Sequence, residues 1–281
     1  MLPSVLRTIR KRVRPLLQAK DLRWGKAGSF PLFKSLRNGS SALQKEVQRM
    51  QYRYEATSEK GFVQQLATNI LTHGYFFYVQ GHVREGKDPR EIDKKLLSKY
   101  GVEISRSQRA RRKLSGLANV HYLRFDRHWI LLATHGEHLF KIEEAKNIRD
   151  VREHPIQAGG YSLWVKRGNF LKRRPEDETA TPDGRYRVRV LIAREEYRGL
   201  RAYFLAERWN WSVEKLSAEL RSIRYEPYAP VRKQLLKLLF LINQKRKTAG
   251  YKKVTPDVFR YRRDIVKVFE PIAAVSDREA A

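Results

Sequence analysis

Between Asp88 and Thr134 the chain carries most of its structural punctuation, and this run constrains the fold more tightly than any other. Asp88-Pro89-Arg90-Glu91 is a helix start. The Asp88 carboxylate can accept from the first free amides, Pro89 stands where a missing N–H costs nothing, and Glu91 has capping-box spacing. Ile92, Leu96, Leu97 and Tyr100 recur at helical spacing, and Gly101 closes the helix. Val102 and Ile104 anchor a short turn. Ser105 or Ser107 then opens a second helix that ends near Gly116. Val120–Phe125 and Trp129–Thr134 are rich in β-formers, with Asp126-Arg127-His128 between them as a tight hairpin turn. The order is helix, turn, helix, hairpin.

Elsewhere the same signals predict mixed structure. Thr57 or Ser58 caps a helix carrying Phe62, Val63, Leu66, Ile70 and Leu71, with Gly74 as its left-handed end, and Tyr75–Val83 reads as a buried strand. Tyr161–Arg167 and Arg185–Ala193 are strands joined by a long charged loop, and helices follow at about Glu195–Trp209, Ser212–Ile223 and Pro230–Ala249. The expected class is therefore α+β, with short antiparallel sheets and a helix-turn-helix-like unit behind a basic N-terminal helical arm. The expected domains are the arm over 1–39, a first lobe over 40–150, a second over 151–270 and a tail over 271–281.

Charge narrows the partner. The 281 residues hold 59 Lys and Arg against 30 Asp and Glu, a net +29. A body with that excess repels itself and calls for a polyanion. Cysteine is absent, which excludes disulfides, thiolate metal sites and a Cys nucleophile. The longest apolar stretch, Leu235–Ile242, is interrupted by Lys237 and is too short to span a bilayer. The expected partner is nucleic acid, DNA before RNA, and a homodimer is left open. The expected location is the cytoplasm or nucleoid.

In the arm, Asp21 is the lone acid against ten Lys or Arg up to Leu43. Arg7, Arg10, Lys11, Arg12 and Arg14 flank an apolar stripe of Leu2, Val5, Leu6, Ile9 and Val13. Three readings stand: an arm lying on phosphates, a mitochondrial-type presequence, or a helix packed on the body with a basic outer face.

The second helix of the pair carries Arg106, Gln108, Arg109, Arg111, Arg112 and Lys113 and no acid. Arginine can read guanine edges bidentately and glutamine adenine. With its flanks, DPREIDKKLLSKYGVEISRSQRARRKLSG followed by LANVHYLRFDRHWILLAT, the segment resembles the winged helix-turn-helix regions of transposases and plasmid replication initiators. That resemblance, over residues 88–134 only, implies a recognition helix in a DNA groove, the hairpin as a wing over the backbone, and a role in replication or transposition.

A second basic surface comes from strand alternation. Arg185, Arg187 and Arg189 share one face of their strand, with Lys172, Arg173 and Arg174 in the adjoining loop, and Trp164 or Tyr161 could stack on bases. The alternative reading is a metal-dependent nuclease or nicking enzyme. His135, Glu137 and His138, with Glu143 and Glu144 downstream, are its candidate ligands for Mg or Mn. The His spacing of i, i+3 across a Gly departs from the i, i+2 that one strand face requires. No tyrosine is singled out as a nucleophile by spacing; Tyr161 and Tyr197 are only nearby in sequence. No cofactor is expected otherwise, since nucleotide-binding Gly loops and the Gly-x-Ser-x-Gly elbow are lacking. An RNA-binding ribonucleoprotein component is a further alternative.

Overall fold

Ser58 starts the first helix, its hydroxyl accepting from the Gly61 amide at 3.1 Å. In the computed structural model, which describes residues 53–168, 170–172 and 181–269, this helix, α1 (Glu59–Gln65), runs on through a wide turn over Leu66–Ile70. It ends at Gly74, whose φ of 88° is the left-handed conformation that only glycine adopts freely. The arm and its Arg7, Arg10, Lys11, Arg12 and Arg14 lie outside the described residues.

The fold is α+β. β1 (Phe77–His82), β2 (Val120–Phe125), β3 (His128–Ala133) and β4 (Arg149–Asp150) form an antiparallel sheet in the order β2-β3-β1-β4. Between β1 and β2 come the two expected helices, α2 (Pro89–Lys99) and α3 (Arg106–Leu114). The Asp88 carboxylate accepts from the Arg90 amide at 2.9 Å, with Pro89 in the first turn.

Alternation divides this sheet cleanly. Val79, Tyr122, Leu131 and Ala133 point to one side, where Leu97, Tyr100 and Val102 of the α2 region cover them together with Phe140. Tyr78, Leu123, Ile130 and Leu132 point to the other, against Phe62 of α1 and Leu66 of the wide turn that follows it. The hairpin that the resemblance assigned as a wing is thus enclosed on both faces, and Ile130 through Ala133 are all buried. Its outer edge is also covered, because Ala56 donates to the Arg124 carbonyl and Arg124 to that of Tyr54, both at 2.7 Å. A strand in that position cannot lie over a phosphate backbone.

On the α2-covered face a cation is fully enclosed. Arg124 is 2% exposed and its Nε donates to both oxygens of Asp93, at 2.9 and 3.0 Å, while its outer nitrogen meets Glu55 at 3.0 Å. The Tyr122 hydroxyl donates to the same Asp93 carboxylate. Nearby, Trp129 lies across Gly81, where a Cβ would come within 2.7 Å of the indole.

After the short α4 (Leu139–Glu143), β5 (Ile156–Ala158), β6 (Tyr161–Arg167) and β9 (Tyr186–Ile192) form a second antiparallel sheet in the order β5-β6-β9. The intervening loop carries a small ladder, β7 (Leu171–Lys172) with β8 (Thr181–Pro182). Leu163, Val165, Val190 and Ile192 share a core with Val231, Leu235 and Leu238 of α7 (Ala229–Thr248). Between them come α5 (Arg194–Tyr203), prolonged by a wide turn to Arg208, and α6 (Val213–Ser222). That core is continuous with the α1 face of the first sheet, and Val151, Ile156 and Ala158 are buried in it. The boundary expected near 147–160 therefore does not separate two cores.

Candidate nucleic-acid interface

The sequence of α3 builds its own start. The Ser105 hydroxyl accepts from the Gln108 amide at 3.2 Å, and the Gln108 side-chain oxygen accepts from the Ser105 amide at 2.8 Å. This reciprocal cap occupies the half of the Gln108 amide that would accept from adenine, so base reading by Gln108 would cost the helix its cap. Arg109 is also committed. Its guanidinium donates to the carbonyls of Val102 at 2.8 Å and Val120 at 3.1 Å, with the Tyr75 hydroxyl at 3.4 Å. It ties α3 to the turn before it and the strand after it. The expectation that Arg109 reads a base is corrected on that ground.

The remaining cations of α3 divide by exposure. Arg106, Arg111 and Lys113 are exposed, and none has a carboxylate within ion-pairing distance among the described residues. Arg112 is half-buried, and its Nε finds no acceptor within the described residues.

Arg112 faces the segment proposed for metal. His138 caps α4, its Nδ1 accepting from the Phe140 amide at 3.0 Å. Burial, then the positive charges of Arg112 and Lys141, hold the His138 imidazole below its ordinary range. Glu137 is engaged through its backbone, pairing with Gly116 and Ala118. Gly136 between them, at φ 114°, sits so close to the Gly116 carbonyl that a Cβ would fall 2.3 Å from it. His135 is exposed and meets Phe77 edge-on at 4.9 Å. Among the described residues no group of three or more His, Asp or Glu is placed to hold a metal ion. With one imidazole spent on a cap and two cations beside it, His135, Glu137 and His138 do not assemble the site expected of them.

On β9 the expected alternation holds, with Val188, Val190 and Ile192 turned to the core. Arg185 and Arg189 are exposed, but Arg187 is ion-paired with Asp183 and lies over Phe170 at 5.0 Å. Its charge is largely answered already, which removes it as a primary phosphate ligand. Trp164 stands opposite Arg189 on β6, half-buried, with Lys166 over its ring at 4.5 Å. Tyr161 is 5% exposed and its oxygen accepts from the Glu226 amide, so it belongs to the core and not to a stacking surface. The Lys172 side chain, Arg173 and Arg174 lie outside the described residues.

The two surfaces expected separately are linked by a band of cations interleaved with aromatic rings. Lys141, whose charge acts with that of Arg112 on His138, lies 4.2 Å over Phe77, the ring that His135 also touches. Arg152 lies over Phe77 at 5.7 Å, over Phe76 at 5.3 Å and over Tyr186 at 5.7 Å. Arg167 follows, 5.0 Å over Tyr186. Lys141, Arg152, Arg167 and Tyr186 were not singled out in the sequence. For Arg167 a signal existed, since pairing Tyr161–Arg167 with Tyr186–Ile192 end to end puts it opposite Tyr186. Arg152 gives no such signal, because only the folding of β4 beside β1 brings it to β9.

No protein-family model matches the chain, and no curated protein matches it. Among the described residues no helix is long and apolar enough to cross a membrane.

Proposed function

We propose that the protein binds nucleic acid, duplex DNA before RNA, through the outer face of α3 and the cation–aromatic band that runs from Lys141 to Arg167. One observation carries this reading. Arg106, Arg111 and Lys113 are exposed on one short helix and lack acidic partners among the described residues, in a chain of net charge +29. Unpaired surface cations in such number are stabilised by a polyanion and destabilised by one another. The rings of Phe76, Phe77, Tyr186 and Trp164 hold the neighbouring cations in place and give the band flat apolar faces.

In this reading α3 enters a groove without a wing. Arg106, Arg111, Lys113, Arg185 and Arg189 contact phosphates or base edges, and Arg109 and Gln108 hold the helix in shape. The resemblance of residues 88–134 to transposases and replication initiators makes DNA transposition or replication the proposed setting.

Competition decides the class of nucleic acid. Labelled duplex of mixed sequence is displaced in turn by unlabelled duplex, single strand and structured RNA at one salt concentration. Duplex is expected to compete best. Stronger competition by structured RNA would favour the ribonucleoprotein reading, and no saturable binding to any of the three would end the proposal.

A further inference from the structure

α7 is the longest helix among the described residues, and the stretch from Pro227 to Pro256 that contains it carries eight Lys or Arg and no acid. Val231, Leu235, Leu238, Leu239 and Ile242 turn one side of the helix to the core. Two of its cations are structural. Arg246 is buried on that side and donates to the Trp209 and Trp211 carbonyls, both at 2.6 Å, and Lys245 donates to the Leu205 carbonyl at 2.8 Å. They hold α7 to the segment between α5 and α6. On the opposite side, at helical spacing, stand Lys233, Leu236, Lys237, Phe240, Gln244 and Lys247, all exposed.

This outer face is apolar and cationic at once. Leu236 is 39% and Phe240 59% exposed, one helical turn apart. Lys233, Lys237 and Lys247 have no carboxylate within ion-pairing distance among the described residues. A groove of about 930 Å³ adjoins Phe240, with Leu205, Leu241, Lys247 and Lys253 in its lining and no Asp or Glu there. Nucleic acid would answer the lysines but leave the aliphatic side chains of Leu205, Leu236 and Leu241 in water, since Phe240 is the one flat ring beside them. A bilayer surface is planar and would not fill a groove. The occupant that answers both the charge and the apolar surface is narrow, anionic and apolar along one side.

We propose that the outer face of α7 and its groove dock an acidic amphipathic helix of another protein. The partner lays its apolar stripe on Leu236, Phe240 and Leu241 and its carboxylates on Lys233, Lys237, Lys247 and Lys253. None of these residues belongs to α3 or to the cation–aromatic band. The chain therefore has one cationic surface for nucleic acid and a second, with aliphatic anchors, for an acidic protein, and each stands or falls without the other.

The test uses the full chain and a fluorescein-labelled peptide of ~18 residues, made of Glu, Ala and Leu with Leu at i, i+3, i+4 and i+7, read by anisotropy. The comparison is a peptide of the same composition with its Leu residues scattered around the helix, because a chain of net charge +29 attracts any polyanion. The patterned peptide should bind at least ~10-fold more tightly than the scattered one. Phe240→Ala and Leu236→Ala should each weaken it by about 10-fold at an unchanged melting temperature, and the joint replacement of Arg106, Arg111 and Lys113 by Ala should leave its affinity within about 2-fold. Equal affinity for the two peptides, or binding indifferent to both Phe240→Ala and Leu236→Ala, overturns the proposal. Displacement of the patterned peptide by stoichiometric duplex also overturns it, since α7 would then belong to the nucleic-acid surface. So does tighter binding to phosphatidylserine vesicles that Phe240→Ala abolishes, which would make the face a membrane contact. A chain that binds the patterned peptide in this way but no duplex removes the nucleic-acid reading and leaves this one.

Discussion

Arg109 and Arg111 sit two residues apart on the same helix, and replacing each by Ala should damage different properties. Arg109 makes two hydrogen bonds to backbone carbonyls, at 2.8 and 3.1 Å, and a longer one to Tyr75 at 3.4 Å. A hydrogen bond from a charged donor contributes about 1.5–3 kcal/mol, and a carbonyl left without a donor loses a comparable amount. Arg109 is half-buried, so the two good bonds together are worth about 3 kcal/mol after solvent screening. In a domain of this size each kcal/mol moves the melting temperature by about 2–4 °C, so Arg109→Ala should melt roughly 6–12 °C lower. Arg111 is exposed and touches nothing that must stay paired, so its replacement should change stability by less than about 0.5 kcal/mol. Binding should show the reverse. Measured well below both melting temperatures, Arg109→Ala should keep the wild-type dependence of affinity on salt, and Arg111→Ala should lose ~0.9 of slope for its one phosphate. Melting curves and fluorescence anisotropy on one preparation give both numbers. A stable Arg109→Ala with a reduced salt slope would refute the assignment, because the side chain would then be reaching the polyanion and not the carbonyls.

Three further outcomes are expected. Asp93→Ala strands the buried Arg124 guanidinium and should cost about 3–5 kcal/mol by urea unfolding, and an unchanged midpoint would show that Arg124 does not depend on Asp93. Burial is the main cause that brings His121 and His128 down to about 4, so their folded values lie below the unfolded one. Their contribution is then complete above about pH 6.5 and is lost as pH falls toward 4, up to about 3 kcal/mol for His121 and less for His128, which solvent screens, and a urea midpoint that stays flat across that window contradicts it. Gly81→Ala places a methyl 2.7 Å from the Trp129 ring and should cost about 1–3 kcal/mol while shifting tryptophan emission. Trp129→Leu in the same chain should recover part of that loss, and failure to do so would place the strain elsewhere.

Much of the fold was legible because local chemistry and global structure agree. Asp88-Pro89, Ser58, Ser105 and Gly74 punctuate helices where their capping chemistry says they should, and Tyr161–Arg167 is a strand over the expected span. What misled was exposure. Trp129–Thr134 is almost unbroken in its apolar character, as a strand covered on both faces must be, and that run argued against a wing. Arg124 lies in a strand among aromatic residues and its partner Asp93 is 31 positions away on α2, a pairing that no periodicity displays. Arg109 differs from Arg111 only in which side of α3 meets the Val102 and Val120 carbonyls. The cation–aromatic band is drawn from α4, the turn after β4, β6 and β9, so it exists only once those elements have packed.

The central claim is that exposed cations on α3 meet phosphates, and the salt dependence of duplex binding tests it most directly. With ~6 phosphates contacted, log K against log salt concentration should fall with a slope of about −5 for the wild-type chain. Replacing Arg106, Arg111 and Lys113 together by Ala should make that slope shallower by about 2.7 while the melting temperature stays put. A flat wild-type dependence, or a triple variant with the wild-type slope, would contradict the account.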